Sequence, residues 1–282
     1  MEWIQSLNAA IDYIEDHLLE NFSINDVALK VHISTYHFQR TFSVLTGISM
    51  GEYIRNRRLS LAGQTMTQKG SKVLDVALTY GYENAESFSK AFERFHGIKP
   101  SQAKKQGAVL KSYNRMLIKL AIEGGNILEY RIENKVAFKV VLSPQVFEAD
   151  TCMLQIPEVW QTFMRQFKDH GICGEMGVRI FDQEVTNKFT YGIGCHEKFV
   201  ESVPSGFSVY EIPEFTWAVF PCVGPMPESI QKLWGRIYTE WLPQAEYQFF
   251  DEYDIEYYTE GDIYSEDYKS EIWIPVIKKQ DK

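Results

Sequence analysis

Cationic side chains cluster in the first 107 residues and are suited to binding phosphate. This segment holds 12 Lys/Arg and 11 Asp/Glu, whereas residues 108–282 hold 17 and 27, so the net charge of −9 arises in the second part of the chain. A local basic stripe matters more for binding a polyanion than the whole-chain sum does. The clustered cations are Arg40, Arg55, Arg57, Arg58, Lys90, Arg94, Lys99, Lys104 and Lys105. They indicate a nucleic acid partner for the first part of the chain.

Catalytic and metal chemistry have few candidate residues. We find no nucleophile–His–acid arrangement, phosphate-binding glycine loop or zinc-type Cys/His spacing, and His170 and His196 stand alone. The cysteines are widely spaced, which favours free, mostly buried thiols in a reducing cytosol; they are Cys152, Cys173, Cys195 and Cys222. The sequence therefore predicts no enzyme, no cofactor and no metal site.

An internal repeat positions the cations. Three segments recur 49 or 50 positions later: Asp26–Leu29 as Asp75–Leu78, Phe38-x-x-x-Phe42 as Phe88-x-x-x-Phe92, and Gly47-Ile48 as Gly97-Ile98. Each copy reads as helix, turn, helix. Ser23, Ser34 and Asn84 are suitable caps, and Gly47 and Gly97 are suitable helix ends.

Each second helix is predicted to bury an aromatic stripe and to expose a polar face. The stripes are Phe38, Phe42 and Leu45 in the first copy and Phe88, Phe92 and Phe95 in the second. The opposite faces then carry Tyr36, Gln39, Arg40 and Ser43, and Ala85, Glu86, Ser89, Lys90 and Glu93. Such a helix-turn-helix fits the major groove of DNA.

The connector Met50–Gln68 reads as one helix between the copies. At a rise of ~1.5 Å per residue it spans ~27 Å, near the ~34 Å that separates successive major-groove faces. One chain with two such motifs is predicted to reach adjacent groove segments.

Residues 1–107 resemble the DNA-binding domain of the AraC family of bacterial transcription regulators. The matching features are a leading helix at Trp3–Glu20, Asp26-Val27-Ala28, the run from Ser34 to Phe42, Ile54-Arg55, Arg58-Leu59, Val76-Ala77-x-x-Tyr80-Gly81-Tyr82, Ser87–Phe92 and Gly97–Ser101. The resemblance implies DNA contacts at Ser34, Tyr36, Gln39 and Arg40 in one groove and at Ala85, Glu86, Ser87 and Lys90 in the next. Arg40 would pair with guanine and Gln39 with adenine.

The second part of the chain repeats a strand–helix–strands order. Strands are predicted near 127–132, 137–142, 176–181, 190–196, 206–212, 217–223, 252–259 and 271–276, with helices opening at Ile156 and Pro227. Two such units sharing an antiparallel sheet, with their helices on one face, form an α+β architecture. The predicted domains are 1–107 (all-α, double helix-turn-helix), a linker at 108–125, and 126–282.

Residues 126–278 resemble the GyrI-like effector-binding domain. The matching elements are Glu211-Ile212-Pro213, Trp217–Phe220, the run from Trp234 to Pro243, Glu252–Tyr258 and Ile272–Val276. The resemblance implies that Glu256 meets a small-molecule effector inside an aromatic pocket, and Glu252 is the competing carboxylate. A carboxylate among aromatic rings suits an organic cation. Candidate pocket residues are Tyr258, Trp160, Tyr191, Trp217, Trp234 and Trp273.

These features together predict a cytoplasmic transcription regulator, with an activator favoured, that binds double-stranded DNA, a small amphipathic effector and RNA polymerase. The N-terminal sequence shows no basic apolar leader, and no apolar stretch is long enough to span a membrane. Two alternatives remain open for the second domain. It serves only protein contacts, or it is a hydrolase in which Glu256 and a tyrosine do acid–base chemistry.

Overall fold

The chain folds into two compact units, Met1–Ala121 and Ile122–Lys282. The computed structural model describes residues 2–31, 35–118, 127–148, 152–167, 174–181, 188–250 and 252–279. Residues 108–118 were expected to begin the linker, but they lie against helices of the first unit through hydrogen bonds to Ser60, Tyr53 and Asn8. The first unit therefore extends beyond the predicted boundary at 107.

The described part of the first unit is helical and follows the predicted repeat. Its helices are α1 Glu2–Asp16, α2 Ile24–Lys30, α3 Thr35–Thr46, α4 Met50–Met66, α5 Val73–Thr79, α6 Ala85–His96 and α7 Pro100–Ala103. Helices α2 and α3 form the first helix-turn-helix, and α5 and α6 the second. The connector α4 contributes Met50 and Tyr53 to the first core and Leu59 to the second.

The predicted caps and helix ends are confirmed where the structure describes them. The Ser23 hydroxyl accepts from the Asp26 N–H, and the Asp26 carboxylate accepts from the Ser23 N–H. The Ser23 N–H and hydroxyl both donate to the Asp26 carboxylate and hold its pKa below its ordinary value. Asn84 accepts from the Glu86 and Ser87 N–H groups. Gly97 ends α6 with φ +80°, in the left-handed region that favours glycine.

The burial of α3 corrects one predicted face. Phe38 and Phe42 are fully buried as expected, but Gln39, placed on the outward face by the sequence analysis, is only 2% exposed. Positions 35, 38, 39 and 42 follow the i, i+3, i+4, i+7 spacing of one helical stripe. Thr35 is also buried, and its hydroxyl donates to Asn25 Oδ1 on α2. The buried stripe is therefore wider than the aromatic spacing predicted, and the buried Thr41 widens it on its other side.

The second unit is built on one antiparallel sheet. Its elements are β1 Arg131–Lys135, β2 Phe138–Glu148, α8 Cys152–Phe167, β3 Met176–Phe181, β4 Lys188–His196, β5 Ser208–Ile212, β6 Phe215–Val223, α9 Glu228–Arg236, β7 Tyr247–Phe249, β8 Tyr253–Tyr258 and β9 Lys269–Lys278. A π-helical turn, Ile237–Trp241, continues α9. The short strand β7 was not predicted, and α8 begins at Cys152, upstream of the predicted start.

The strand order confirms the duplication. The sheet runs β1-β6-β9-β8-β3-β4-β2-β5, with β7 beside β9. The units β2-α8-β3-β4 and β6-α9-β8-β9 therefore meet where β3 pairs with β8, and β5 and β1 flank them at the two ends. This is the predicted α+β arrangement of two strand–helix–strands units.

Short connections force this sheet to curl. Only two residues separate β5 from β6, and only two separate β1 from β2, although β5 and β6 are six strands apart in the order. Six spacings of ~4.8 Å amount to ~29 Å in a flat sheet, whereas three residue steps reach at most ~11 Å. The inner face of the curl forms the core, with residues from both halves: Val140, Leu142, Met176, Val178, Ile212, Trp217, Val219, Ile255 and Trp273.

Helix α9 covers part of the opposite, outer face of the sheet. Its Trp234 and the following Trp241 are buried, and Trp241 packs edge-on against Phe220 of β6 at 5.0 Å. Within the described ranges, no helix is long and apolar enough to cross a membrane. Cys152, Cys195 and Cys222 are buried and form no disulfide within the described part of the chain, and Cys173 lies outside the described residues.

Candidate functional site

In the first helix-turn-helix, Arg40 is the predicted DNA-contact residue with a partly exposed side chain in the structure. Arg40 lies on α3 and is partly buried. Ser34 lies outside the described residues, and α3 includes Tyr36, whose side-chain position is not described. Because Gln39 is buried, its side chain does not form part of an exposed reading face in this structure. Arg40 is the residue of this motif on which a DNA-contact hypothesis rests.

The second motif places its predicted contacts at the surface. Glu86, Ser87 and Lys90 are exposed on α6, and Ala85 is half-buried. Lys90 Nζ lies 2.8 Å from Glu86 Oε1, one turn away. The hydrogen bond and the charge of Lys90 lower the pKa of the Glu86 carboxyl. The charge of Lys90 is therefore partly offset by Glu86, and Arg94 is a second cation on the same helix.

Two arginines of the predicted basic stripe have structural roles. Arg57 donates from Nε and Nη2 to the two carboxylate oxygens of Glu15, at 2.7 and 2.6 Å. Arg58 donates to the Leu18 and Glu20 carbonyl oxygens beyond the end of α1. The sequence analysis placed both arginines in a phosphate-binding stripe. The structure corrects this, because Arg57 ties α4 to α1 and Arg58 ties α4 to the residues that follow α1.

The second unit contains a carboxylate inside an aromatic cluster. Glu256 lies in β8 and is 9% exposed. The indole N–H of Trp234 donates to Glu256 Oε1 at 2.9 Å. The Tyr258 and Tyr191 hydroxyls donate to Oε2 at 3.1 and 3.4 Å. Strands β8 and β4 and helix α9 thus supply three neutral donors to one carboxylate.

Trp160 of α8 completes this cluster. Its indole N–H donates to the Tyr191 hydroxyl at 2.8 Å, and its ring meets Tyr258 edge-on at 4.8 Å. Burial, followed by the negative charge of Glu256, raises the pKa of Tyr191 and of Tyr258 well above the ordinary value. Both phenols therefore stay protonated and act as donors. We call Glu256, Trp234, Tyr258, Tyr191 and Trp160 the Glu256 cluster.

Gly177 makes room for the cluster. It lies on β3 directly opposite Glu256 in the strand register. A Cβ atom at this position would stand 2.0 Å from the Tyr191 hydroxyl oxygen and 3.1 Å from the Trp160 ring. The absence of a side chain at Gly177 is what allows Tyr191 and Trp160 to approach the carboxylate.

Two predicted pocket residues lie on the other side of the sheet. Trp217 and Trp273 belong to the inner core with Ile255, the residue before Glu256. Successive side chains of a strand point to opposite faces, and Trp273 pairs with Ile255 rather than with Glu256. Their assignment to the Glu256 pocket is wrong because the register places them inside the curl.

The sequence analysis missed a buried ion pair beside the cluster. Arg179 Nη1 donates to Asp254 Oδ2, and the two side chains are 3% and 2% exposed. Asp254 shares the face of Glu256 on β8, and Arg179 is its register partner on β3. Burial raises the pKa of the nearby Cys222 thiol, a side-chain hydrogen bond with Ser270 offsets part of this rise, and the negative charge of Glu256 adds to it. Strand alternation pointed to Asp254, but its partner depended on a register that the sequence does not reveal.

Metal binding finds no support in the described ranges. They contain no group of three or more His, Cys, Asp or Glu side chains placed to hold an ion. The chemistry of the cluster is that of a buried negative charge lined by aromatic rings.

Two protein-family models match the chain. The integron-associated effector-binding protein family matches residues 131–276, just over half of the chain. A helix-turn-helix domain matches residues 27–106. One match falls within each unit, and the Glu256 cluster lies within the first of these matches.

Three curated relatives each match about a third of the chain. The HTH-type transcriptional activator AarP of Providencia stuartii is 36% identical over 89 residues, which are 32% of this chain and 66% of AarP. The probable transcription factor PqrA of Proteus vulgaris is 30% identical over 105 residues, 36% of this chain and 86% of PqrA. The right origin-binding protein of Escherichia coli K12 is 37% identical over 82 residues, 29% of this chain and only 28% of that protein.

Two solved structures each match about half of the chain. SAV2435 bound to tetraphenylphosphonium is 20% identical with a TM-score of 0.46, covering 53% of this chain and 94% of its own. The integron cassette protein VCH_CASS2 of Vibrio cholerae is 18% identical with a TM-score of 0.42, covering 52% of this chain and 95% of its own.

Proposed function

The chain belongs to the integron-associated effector-binding family and carries an AraC-type DNA-binding domain of transcription regulators, and from this premise we propose that its effector is a lipophilic organic cation held by Glu256. The observation that supports the proposal is a buried carboxylate that accepts from Trp234, Tyr258 and Tyr191. A buried negative charge attracts a cation more strongly than an exposed one does, because little water screens it.

The donors around Glu256 narrow the class of cation. A carboxylate has about four lone-pair sites, and three donors already occupy three of them in the Glu256 cluster. A primary ammonium needs free acceptors for its own N–H groups. A quaternary ammonium or phosphonium needs only charge and aromatic surface. We infer that the site prefers permanent, delocalised cations over primary amines.

Calorimetric titration of the full chain tests the effector proposal. Tetraphenylphosphonium serves as the cationic probe, and triphenylphosphine oxide as a neutral aromatic control. Saturable binding of the cation, at least about tenfold tighter than binding of the neutral compound, supports the proposal. Equal binding of both contradicts it. Binding of neither favours a second unit that serves only protein contacts, and accumulation of a hydrolysis product favours an enzyme.

We propose that α3 and α6 enter adjacent major-groove segments, with Arg40 reading a base in the first. An arginine bidentate to guanine contributes about 1–3 kcal/mol of discrimination. In the second motif, Lys90 is paired with Glu86 at 2.8 Å, so its net attraction for DNA is weaker. The first motif is therefore expected to carry most of the sequence preference.

Selection of duplexes from a randomised pool by the full chain tests DNA binding. Arg40→Ala should lose about 1–3 kcal/mol on the selected duplex and much less on unrelated DNA. Lys90→Ala, the matched change in the second motif, should lose less on the selected duplex. An equal loss on every sequence for Arg40→Ala would assign it to phosphate instead of a base.

We propose further that the regulator activates transcription through RNA polymerase, as the name of its relative AarP says of that protein. Transcription in vitro from a promoter that carries the selected duplex provides the test. Tetraphenylphosphonium should increase transcript yield only when the regulator is present. A decrease would indicate repression.

A further inference from the structure

Residues 108–118, which we call the strap, join the two helix-turn-helix halves a second time. The first connection is α4, which packs Met50 and Tyr53 into the first core and Leu59 and Met66 into the second. The strap runs from the second core to the first without regular secondary structure. A chain of ten residue steps reaches up to ~33–36 Å, so the strap is long enough to bridge two motifs that read successive grooves.

The start of the strap contacts the second half. Leu110 packs against the second core. The Lys111 N–H donates to His96 Nδ1 at 3.1 Å, and the Nε2–H of the same ring lies 3.0 Å from the Leu59 carbonyl oxygen. Gly63 of α4 leaves room for this buried ring, since a Cβ there would lie 2.7 Å from His96 Cε1. The strap is thereby attached to the last turn of α6.

The middle of the strap crosses α4 where the two halves meet. The Tyr113 N–H donates to the hydroxyl of Ser60 at 3.0 Å, and Ser60 is only 3% exposed. The Tyr113 carbonyl accepts from Arg57, which also holds Glu15 of α1. One strap residue is therefore fixed through both of its backbone polar groups.

The end of the strap contacts the first half. The Met116 N–H donates to the Tyr53 hydroxyl at 3.1 Å. The Asn8 side chain of α1 accepts from the Ile118 N–H at 3.0 Å and donates to its carbonyl at 2.9 Å. Arg115 pairs with Asp12 of α1. Tyr113, Met116 and Ile118 pack on the first core.

We propose that the strap fixes the distance and rotation between α3 and α6, and so sets the spacing of the two groove segments that the regulator accepts. A single helix joining two motifs allows them to twist and bend against each other. A second attachment on both cores removes that freedom, which lowers the entropy lost on binding a correctly spaced site. The inference rests on the proposed DNA binding by both motifs.

Spacing selectivity of the full chain tests this role. The probe is the duplex selected by the wild-type chain, compared with the same duplex carrying one extra base pair between the two contact segments. One base pair turns the second segment by ~35°. The wild-type chain should bind the altered duplex at least about tenfold more weakly.

Asn8→Ala removes both bonds to Ile118, and Ser60→Ala removes the bond from the Tyr113 N–H at the crossing. In each variant the ratio of the affinities for the selected and the altered duplex should fall at least about threefold, with affinity for unrelated DNA unchanged. Ser112→Ala is the control on the same segment, because its exposed hydroxyl donates to Asn114 of the strap itself; its affinity ratio should equal that of the wild type.

Two results would overturn the inference. The first is an unchanged ratio in both variants, with thermal unfolding showing that both are folded. The second is an equal loss on all duplexes, which marks a merely structural contact. If the wild-type chain selects no duplex, or binds the duplex with the extra base pair equally well, the proposed reading of two groove segments is wrong. The inference about the strap then fails with it.

Discussion

The indole N–H of Trp234 donates to Glu256 Oε1 at 2.9 Å, and this bond joins α9 to the middle of the sheet. Trp234 is 2% exposed and also stacks on Tyr238. The carboxylate is consequently held in one orientation by a rigid aromatic donor. Its charge is positioned before any ligand arrives, which reduces the ordering cost of binding.

Glu256→Gln should weaken binding of tetraphenylphosphonium about ten- to a hundredfold, or about 1.4–2.8 kcal/mol. Glutamine keeps an acceptor for Trp234 and nearly the same volume, so the change removes mainly the charge. Glu252→Gln, on the residue before β8, is the matched control and should bind like the wild type. Equal affinities for Glu256→Gln and the wild type in calorimetry would remove Glu256 from the effector site.

Gly177→Ala should disrupt the Glu256 cluster more than the addition of a single methyl group suggests. The new methyl would stand 2.0 Å from the Tyr191 hydroxyl oxygen, and Tyr191 is 1% exposed and cannot swing out. Overpacking of this kind costs about 1–3 kcal/mol. We expect a lower melting temperature and loss of cation binding, with duplex binding by the first unit retained. Undiminished cation affinity would show that Tyr191 does not shape the site.

The helix-turn-helix repeat could be predicted from the sequence because local signals specify it. Caps such as Ser23 and Asn84 and the spacing of Phe88 and Phe92 act within one or two helical turns. The burial of Gln39 was not accessible, since it depends on how wide a stripe of α3 is covered by its neighbours. Local periodicity predicts the centre of a buried face better than its edge.

The Glu256 site could be predicted only in part from the sequence, for a different physical reason. Alternation along β8 places Asp254, Glu256 and Tyr258 on one face. Which tryptophans share that face depends on the register of paired strands and on the curl of the sheet. Trp234 joins Glu256 from α9, whereas Trp273 pairs with Ile255 and turns inward. Long-range pairing decides this and leaves no local signal in the sequence.

Asp254→Asn should destabilise the second unit by about 3–5 kcal/mol, because it leaves the buried Arg179 guanidinium without its carboxylate. Chemical denaturation of the full chain measures this as an earlier transition for the second unit. The double change Arg179→Met with Asp254→Leu should recover most of the loss, since it removes both charges. A single variant as stable as the wild type would show that the pair contributes little.

The strap should loosen from α6 as pH falls through the range of histidine titration. Burial is the main cause that lowers the pKa of His96 below its ordinary value of 6.5, and the nearby charge of Lys111 lowers it further. The folded state therefore favours the neutral ring, whose Nδ1 accepts from the Lys111 N–H. The unfolded state binds a proton more readily, so the stabilisation is complete above about pH 6.5 and declines as pH falls towards the lowered folded pKa.

Hydrogen exchange of residues 108–118, corrected for the intrinsic rate, measures this loosening between pH 7.5 and 5.5. Protection of the Lys111 amide should fall with pH in the wild-type chain, because protonated Nδ1 no longer accepts. His96→Gln removes the titrating group, so its protection should not change with pH. His196→Gln controls for the histidine of the second unit, whose pKa burial also lowers, and it should behave like the wild type. Constant protection in the wild-type chain over this range would show that His96 stays neutral throughout or does not hold the strap.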